Sequence, residues 1–242
     1  ILWIRKYLEE VMVNKIAFNA DMKMIRRDPI LIIFMCIPFL AGLLIKGILH
    51  YLVPWLWQRN GFDVTLYYAY ILGGVFLMSP MMLGTVAGFL MIDEKDGKIF
   101  ELISITPVGY NGYMIHRLML PVIGSAIYTL VMYWLLDIFF LRIETLLILM
   151  ILMGLESIMI GTLLFVFAKD KVQGLTYSKG MGVFMVLAMA DLFGKPWLST
   201  VAGAIPFYWV IRVIRYPDNI VDVVMAFVVH LVWLMVILRR KL

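Results

Sequence analysis

The chain has 242 residues, of which 64% are hydrophobic and 15% charged, with 21 Lys and Arg against 16 Asp and Glu, a net charge of +5. Soluble domains run near 45–50% apolar and about 25% charged, so a water-soluble globule of this size is excluded and one polytopic membrane domain over 1–242 is expected. In this setting the positive charge speaks for membrane topology and anionic lipid headgroups, not for nucleic acid, and the single cysteine, Cys36, excludes an internal disulfide.

The first 28 residues form an arm. Trp3, Ile4, Tyr7, Leu8, Val11 and Met12 recur at helical spacing, with Arg5, Lys6, Glu9, Glu10 and Asn14 on the other face. This is the pattern of an interfacial helix lying on a membrane, or of a helix packed on the protein. It is not a charged segment followed by an apolar one, so no cleavable leader is expected. Asp28-Pro29 then opens the first span, since proline suits a first helical turn.

A span needs about 20 apolar residues. Six segments qualify: 30–50, 66–92, 117–141, 144–168, 178–194 and 219–238, the fifth being short. Ser79-Pro80 in the second and Pro121 in the third each remove a backbone donor and predict kinks. The region 195–217 is apolar but broken by Pro196, Gly203 and Pro206. It reads as re-entrant half-helices, with a seventh span as the competing reading. Cys36 is expected to be a buried small hydrophobe. The 19 methionines fit ordinary core filling, or an adaptable lining for greasy substrates.

Orientation follows from the cations. Arg5, Lys6, Lys15, Lys23, Arg26 and Arg27 precede the first span. Lys95, Lys98, Arg117, Lys169, Lys171, Lys179, Arg239, Arg240 and Lys241 fall in connections on the same side, which makes fifteen. Arg59, Arg142, Lys195, Arg212 and Arg215, five in all, lie opposite. Both termini are thus expected in the cytoplasm, with the chain in the plasma (inner) membrane. Trp55, Trp57, Tyr67, Tyr68, Trp197, Tyr208 and Trp209 would form an outer aromatic belt.

Two polar features interrupt the oil. Glu156 and His230 each fall midway along a span. A charge at the bilayer centre costs about 2.5–3.5 kcal/mol or more, so Glu156 must face protein or water. It either lines a substrate path, with His230 as its partner, or makes a structural interhelical hydrogen bond. Asp137, Asp191 and Asp222 at the outer span ends are expected to be solvated. The second feature is the charged stretch 93–115, which reads as a cytoplasmic lever between two spans.

Enzymatic machinery is missing from the pattern. A phosphate-binding loop needs Gly, four residues, then Gly-Lys-Ser/Thr. Ile92 stands five residues before Gly97-Lys98, and Met189 five before Gly194-Lys195. His50, His116 and His230 lie in separate elements with no zinc spacing, and no nucleophile elbow occurs, so no metal or catalytic residues are expected.

The stretch Glu94-Lys95-Asp96-Gly97-Lys98-Ile99-Phe100-Glu101-Leu102, then Thr106-Pro107-Val108 and Arg117, resembles type-two ABC export permeases, with Glu94, Gly97, Glu101 and Pro107 at the matching positions. Lys98 stands where the family often has Thr, and Ser104-Ile105 also depart from it. Ala20-Asp21 to Asp28-Pro29, and Ala204-Ile205-Pro206-Phe207-Tyr208-Trp209, are similar to small drug and antibiotic export permeases. The resemblance implies an all-α membrane protein with six transmembrane helices, an N-terminal interfacial helix over 1–28, a coupling-helix region at 93–115 and re-entrant helices at 195–217. It implies a dimer with a second permease subunit, identical or not, and a separate ABC ATP-binding subunit that carries ATP and magnesium, this chain holding no cofactor. Glu94, Asp96, Gly97, Glu101, Thr106 and Pro107 would couple to that subunit, and Glu156 and His230 are candidates for the translocation path. Alternatives are a proton-coupled secondary transporter using Glu156 and His230, or a non-transporting immunity or sensor subunit.

Overall fold

The computed structural model describes residues 19, 21–99, 102 and 109–239, and every element in it is helical. The amphipathic stretch at the start of the arm, Glu101, Thr106, Pro107, Arg240 and Lys241 lie outside the described residues. A helical segment over 21–27 leads to α1 (Pro29–Asn60). Asp28 caps α1 by accepting from the Ile30 N–H at 2.9 Å, and Pro29 takes the first turn, where no N–H is needed. Gly61, left-handed at φ 63°, closes it by donating to the Trp57 carbonyl.

A single 3-10 turn, Val64–Tyr67, capped by Asp63, feeds α2 (Tyr68–Asp96). Next come α3 (Gly109–Leu136) and α4 (Ile143–Phe167). The next helix, α5 (Lys171–Leu187), is capped by Asp170. After a 3-10 turn at Ala190–Phe193 follow α6 (Pro196–Ala202), α7 (Pro206–Arg215) and α8 (Ile220–Arg239).

Among the described residues five helices are long and apolar enough to cross a bilayer: α1, α2 with its leading 3-10 turn, α3 from Gly112, α4 and α8. They correspond to the expected spans one, two, three, four and six. The expected fifth span is displaced. Its helix starts at Lys171 rather than 178 and ends at Leu187. At 17 residues it is about 25 Å long, short of the roughly 30 Å hydrocarbon core. The Asp170 cap sets the start, and it outweighs the polar residues that hid this turn in the sequence. α6 and α7 meet at 116°, a chain that doubles back rather than a seventh straight span.

α2 is the central pillar, with 89% of its most apolar window buried, against 17% for α1 and 28% for α8. It packs on α1, α3, α4, α5 and α7. Lipid is as apolar as leucine, so close packing rather than water exclusion must hold these helices together. Small residues permit it. A Cβ on Gly84 would sit 2.8 Å from the Ser157 carbonyl oxygen of α4, and one on Gly88 would sit 2.8 Å from the Leu164 Cβ. Outward, Leu44, Ile115, Trp134 and Phe140 are 66–84% exposed, a hydrocarbon-facing surface. Cys36 belongs to it: the thiol is exposed, not buried. Of the residues expected in the aromatic belt, Trp55, Trp57, Tyr67 and Trp197 are exposed, whereas Tyr208 is buried.

Candidate functional site: ion clusters at the helix ends

At the end of the molecule carrying the α2–α3 connection, charged side chains knit five elements together. Glu94 stands where the buried face of α2 returns after Leu90 and Met91, so helical periodicity turns its carboxylate inward. Arg117 of α3 reaches it with Nε at 2.8 Å from Oε2 and with Nη2 on Oε1. The Tyr113 hydroxyl donates to the same Oε2 at 2.7 Å. The other arm of the guanidinium pairs with Asp21 of the arm. All four residues are below 10% exposure. A planar fork gripping one carboxylate in bidentate fashion, with a second at its side, has little freedom to reorient.

Beside it, the Lys171 ammonium at the start of α5 lies 2.7 Å from Asp28 Oδ2 and 2.7 Å from Asp93 Oδ2. Asp28 thus does two jobs, capping α1 through Oδ1 and pairing through Oδ2. The Lys171 bond holds the Asp28 carboxyl below its ordinary value, against partial burial. Burial alone would lower the Lys171 ammonium, but the bonds to Asp28 and Asp93 prevail and raise it.

Of the residues expected to couple to a partner, Glu94 is buried at 3% exposure. Its carboxylate is consumed inside the protein, so it can position the loop but does not present charge at the surface. Asp96 and Gly97 are exposed where α2 ends. Gly97 has an ordinary φ of −75°, and the left-handed residue is Lys98 at φ 56°. Asp21, Asp28, Asp93, Tyr113 and Lys171 escaped the sequence reading as a set, because ion pairing between elements leaves no local spacing. Only the inward register of Glu94 was there to be found.

Glu156 and His230 are brought together, as the sequence anticipated. Nε2 lies 3.1 Å from Glu156 Oε1, and Nδ1 lies 2.6 Å from the Ala226 carbonyl. A carbonyl only accepts, so Nδ1 carries hydrogen, and the Nε2–Oε1 contact holds one shared proton. Both side chains have 0% exposure, and Glu156 Oε2 has no partner.

At the opposite end, α7 organises a third cluster. The Asp191 carboxylate accepts from Ser199 at 2.7 Å, Tyr208 at 2.8 Å and Arg215 at 3.0 Å. Arg212 grips Asp222 of α8 at 3.0 and 3.1 Å. Burial would raise the Asp191 carboxyl, but Ser199, Tyr208, Arg212 and Arg215 together hold it low. Solvation was expected for Asp191 and Asp222. Pairing replaces it, and Asp222 is 2% exposed. Among the described residues no group of three His, Cys, Asp or Glu could hold a metal ion.

The family described as fluoroquinolones export permease protein Rv2686c-like matches residues 21–239. Two curated proteins of Mycobacterium tuberculosis are similar to this chain: fluoroquinolones export permease protein Rv2686c of strain H37Rv and fluoroquinolones export permease protein MT2760 of strain CDC 1551. Each is 24% identical over 196 residues, covering 78% of this chain and 76% of the relative. No solved structure matches. A match over nearly all the described helices, on a bundle with a charged loop after its second span, places this multi-pass membrane chain in the Rv2686c-like family of export permeases, within the ABC export class that its loop motif resembles.

Proposed function

We infer that this chain is the membrane subunit of an ATP-driven exporter that moves amphipathic, antibiotic-like molecules out of the cytoplasm or inner leaflet. The observation carrying this reading is the double ion cluster behind the α2–α3 connection. It joins the arm, α1, α2, α3 and α5 at one end. A push on that connection is thereby delivered to five elements as one body, as rigid-body alternating access requires.

In this proposal a separate ATP-binding subunit, holding ATP and magnesium, grips the connection through Asp96, Gly97, Glu101, Thr106 and Pro107. Glu94 stiffens it from inside. The connection faces the cytoplasm, as the cation excess on its side of the chain supports. A second permease subunit, identical or not, completes the cavity. The sparse cover on α1 supports that subunit's place. The names of the mycobacterial relatives support fluoroquinolones as a first substrate to test.

Cells expressing this chain with a cognate ATP-binding subunit are expected to accumulate less fluoroquinolone than cells expressing either alone. A hydrolysis-dead ATP-binding subunit is expected to abolish the difference. Export that persists without any ATP-binding subunit would end the reading. The shared proton between Glu156 and His230 favours one second reading, proton-coupled transport. It predicts uptake driven by a pH gradient in ATP-free vesicles and lost in Glu156→Gln.

A further inference from the structure

The displaced start of α5 changes the place of one cation. In the sequence Lys179 belongs to a loop. In the structure it lies two turns, about 12 Å, along α5 from Lys171, whose bonds to Asp28 and Asp93 tie it to the ends of α1 and α2. The first half of α5 is polar for a helix of a membrane bundle, with Gln173, Thr176, Tyr177 and Ser178 besides the two lysines. Thr176 and Lys179 are exposed, on the same face as Val172 and Val183.

Lys179 lines a cavity of about 140 Å³ between α1, α2 and α5, together with Phe34, Met81, Met82, Thr85, Leu175 and Ser178. The polar lining is spent except at one point. The Thr85 hydroxyl donates to the Met81 carbonyl at 2.6 Å, and the Ser178 hydroxyl to the Leu175 carbonyl at 2.9 Å. Among the described residues no carboxylate pairs with the Lys179 ammonium; several other lysines share this, but Lys179 is the cation that lines this cavity. The apolar lining is suited to a flat ring. Two methionines offer polarizable sulfur, and Phe34 is held edge-on to Phe89 with centroids 5.8 Å apart.

We propose that this cleft receives the acidic end of the transported molecule, a planar aromatic carboxylate, with Lys179 as its counter-charge and Phe34, Met81 and Met82 against its rings. Drug-sized ligands fill about 300–1,000 Å³, so the cleft holds one end, and the remainder lies along the open face of α5. The inference rests on the exporter reading and gives the carboxylate of such a substrate a place and a counter-charge on this chain. It also moves substrate contact away from Glu156 and His230, whose side chains are fully buried.

The test uses the purified full chain in phosphatidylcholine nanodiscs, with a fluoroquinolone and its carboxyl methyl ester as probes and fluorescence polarisation as readout. The acid is expected to bind roughly fivefold to tenfold tighter than the ester, the scale of one partly exposed charge pair. Lys179→Gln should bring the acid down to the affinity of the ester and leave the ester unchanged, while Lys179→Arg keeps most of the preference. Met82→Trp, which fills the cleft, should weaken both probes alike. An acid-to-ester ratio unmoved by Lys179→Gln overturns the site. So does an effect confined to phosphatidylglycerol discs, which would assign Lys179 to a lipid headgroup. If the native chain binds and exports the drug while the ratio ignores Lys179, the site falls alone. If it binds neither probe, site and substrate reading fall together.

Discussion

Arg117 is the residue on which the loop end depends. Among the described residues it alone neutralises Asp21 and Glu94, two carboxylates that are both nearly inaccessible. Breaking a buried ion pair by removing one partner typically costs about 3–5 kcal/mol, because the remaining charge stays desolvated. Arg117→Gln is expected to lower the unfolding free energy in detergent by that order, whereas Lys98→Gln at the exposed turn should leave it unchanged. The Asp28–Lys171–Asp93 triad carries a pH signature. Asp28 titrates below its ordinary 3.8, so its contribution is complete above that value and is lost as pH falls through the folded pKa. Lys171 titrates above 10.5, so its contribution is complete below that value and is lost as pH rises through the folded pKa. Thermal midpoints measured across pH should therefore show a plateau between those limits, and Lys171→Gln should lower the plateau and blunt both edges. Glu94 shows how much was legible at this scale. Its type and position stood in the loop motif, and its direction was implicit in the spacing after Leu90 and Met91. Its partner could not be read, since Arg117 comes from the next helix.

At the scale of elements, the contact of α2 with α4 depends on what is absent. Gly84 and Gly88 let the Ser157 carbonyl and Leu164 approach to distances no Cβ tolerates, and Gly84 faces rigid backbone that cannot yield. Overpacking typically costs about 1–3 kcal/mol, so Gly84→Ala is expected to destabilise by that amount in unfolding measurements. Gly182→Ala on α5 meets nothing within 4 Å and should be neutral or stabilising by up to about 1 kcal/mol, the helix propensity difference. Equal effects at the two sites would contradict the packing described. The half-helices α6 and α7 are held by side chains as well as by proline. Asp191, fixed by Ser199, Tyr208 and Arg215, ties the turn after α5 to both of them. The prolines announced a break in the sequence. The 116° bend and the pairing that sustains it were not announced, because they depend on which carboxylate meets which arginine.

For the whole molecule, the cation imbalance supports the proposal that the α2–α3 connection faces the cytoplasm. With native Cys36 replaced by serine, Lys98→Cys is expected to resist a membrane-impermeant maleimide in intact cells and to react after lysis. Asn60→Cys at the far end of α1 should react in both. The reverse pattern would invert the orientation and remove the connection from any cytoplasmic motor. Composition and hydrophobic run length by themselves determined that this chain is an all-helical membrane bundle, because a bilayer admits only segments that satisfy their own backbone hydrogen bonds. The charged loop motif likewise pointed to its family without coordinates. Only the tertiary structure decided that Glu94 faces inward, that α5 begins at Lys171, that Asp191 and Asp222 are paired and that Lys179 opens onto a cleft. Hydropathy sums along the chain, whereas the fate of each charge depends on which neighbour from a distant helix arrives within about 3 Å of it.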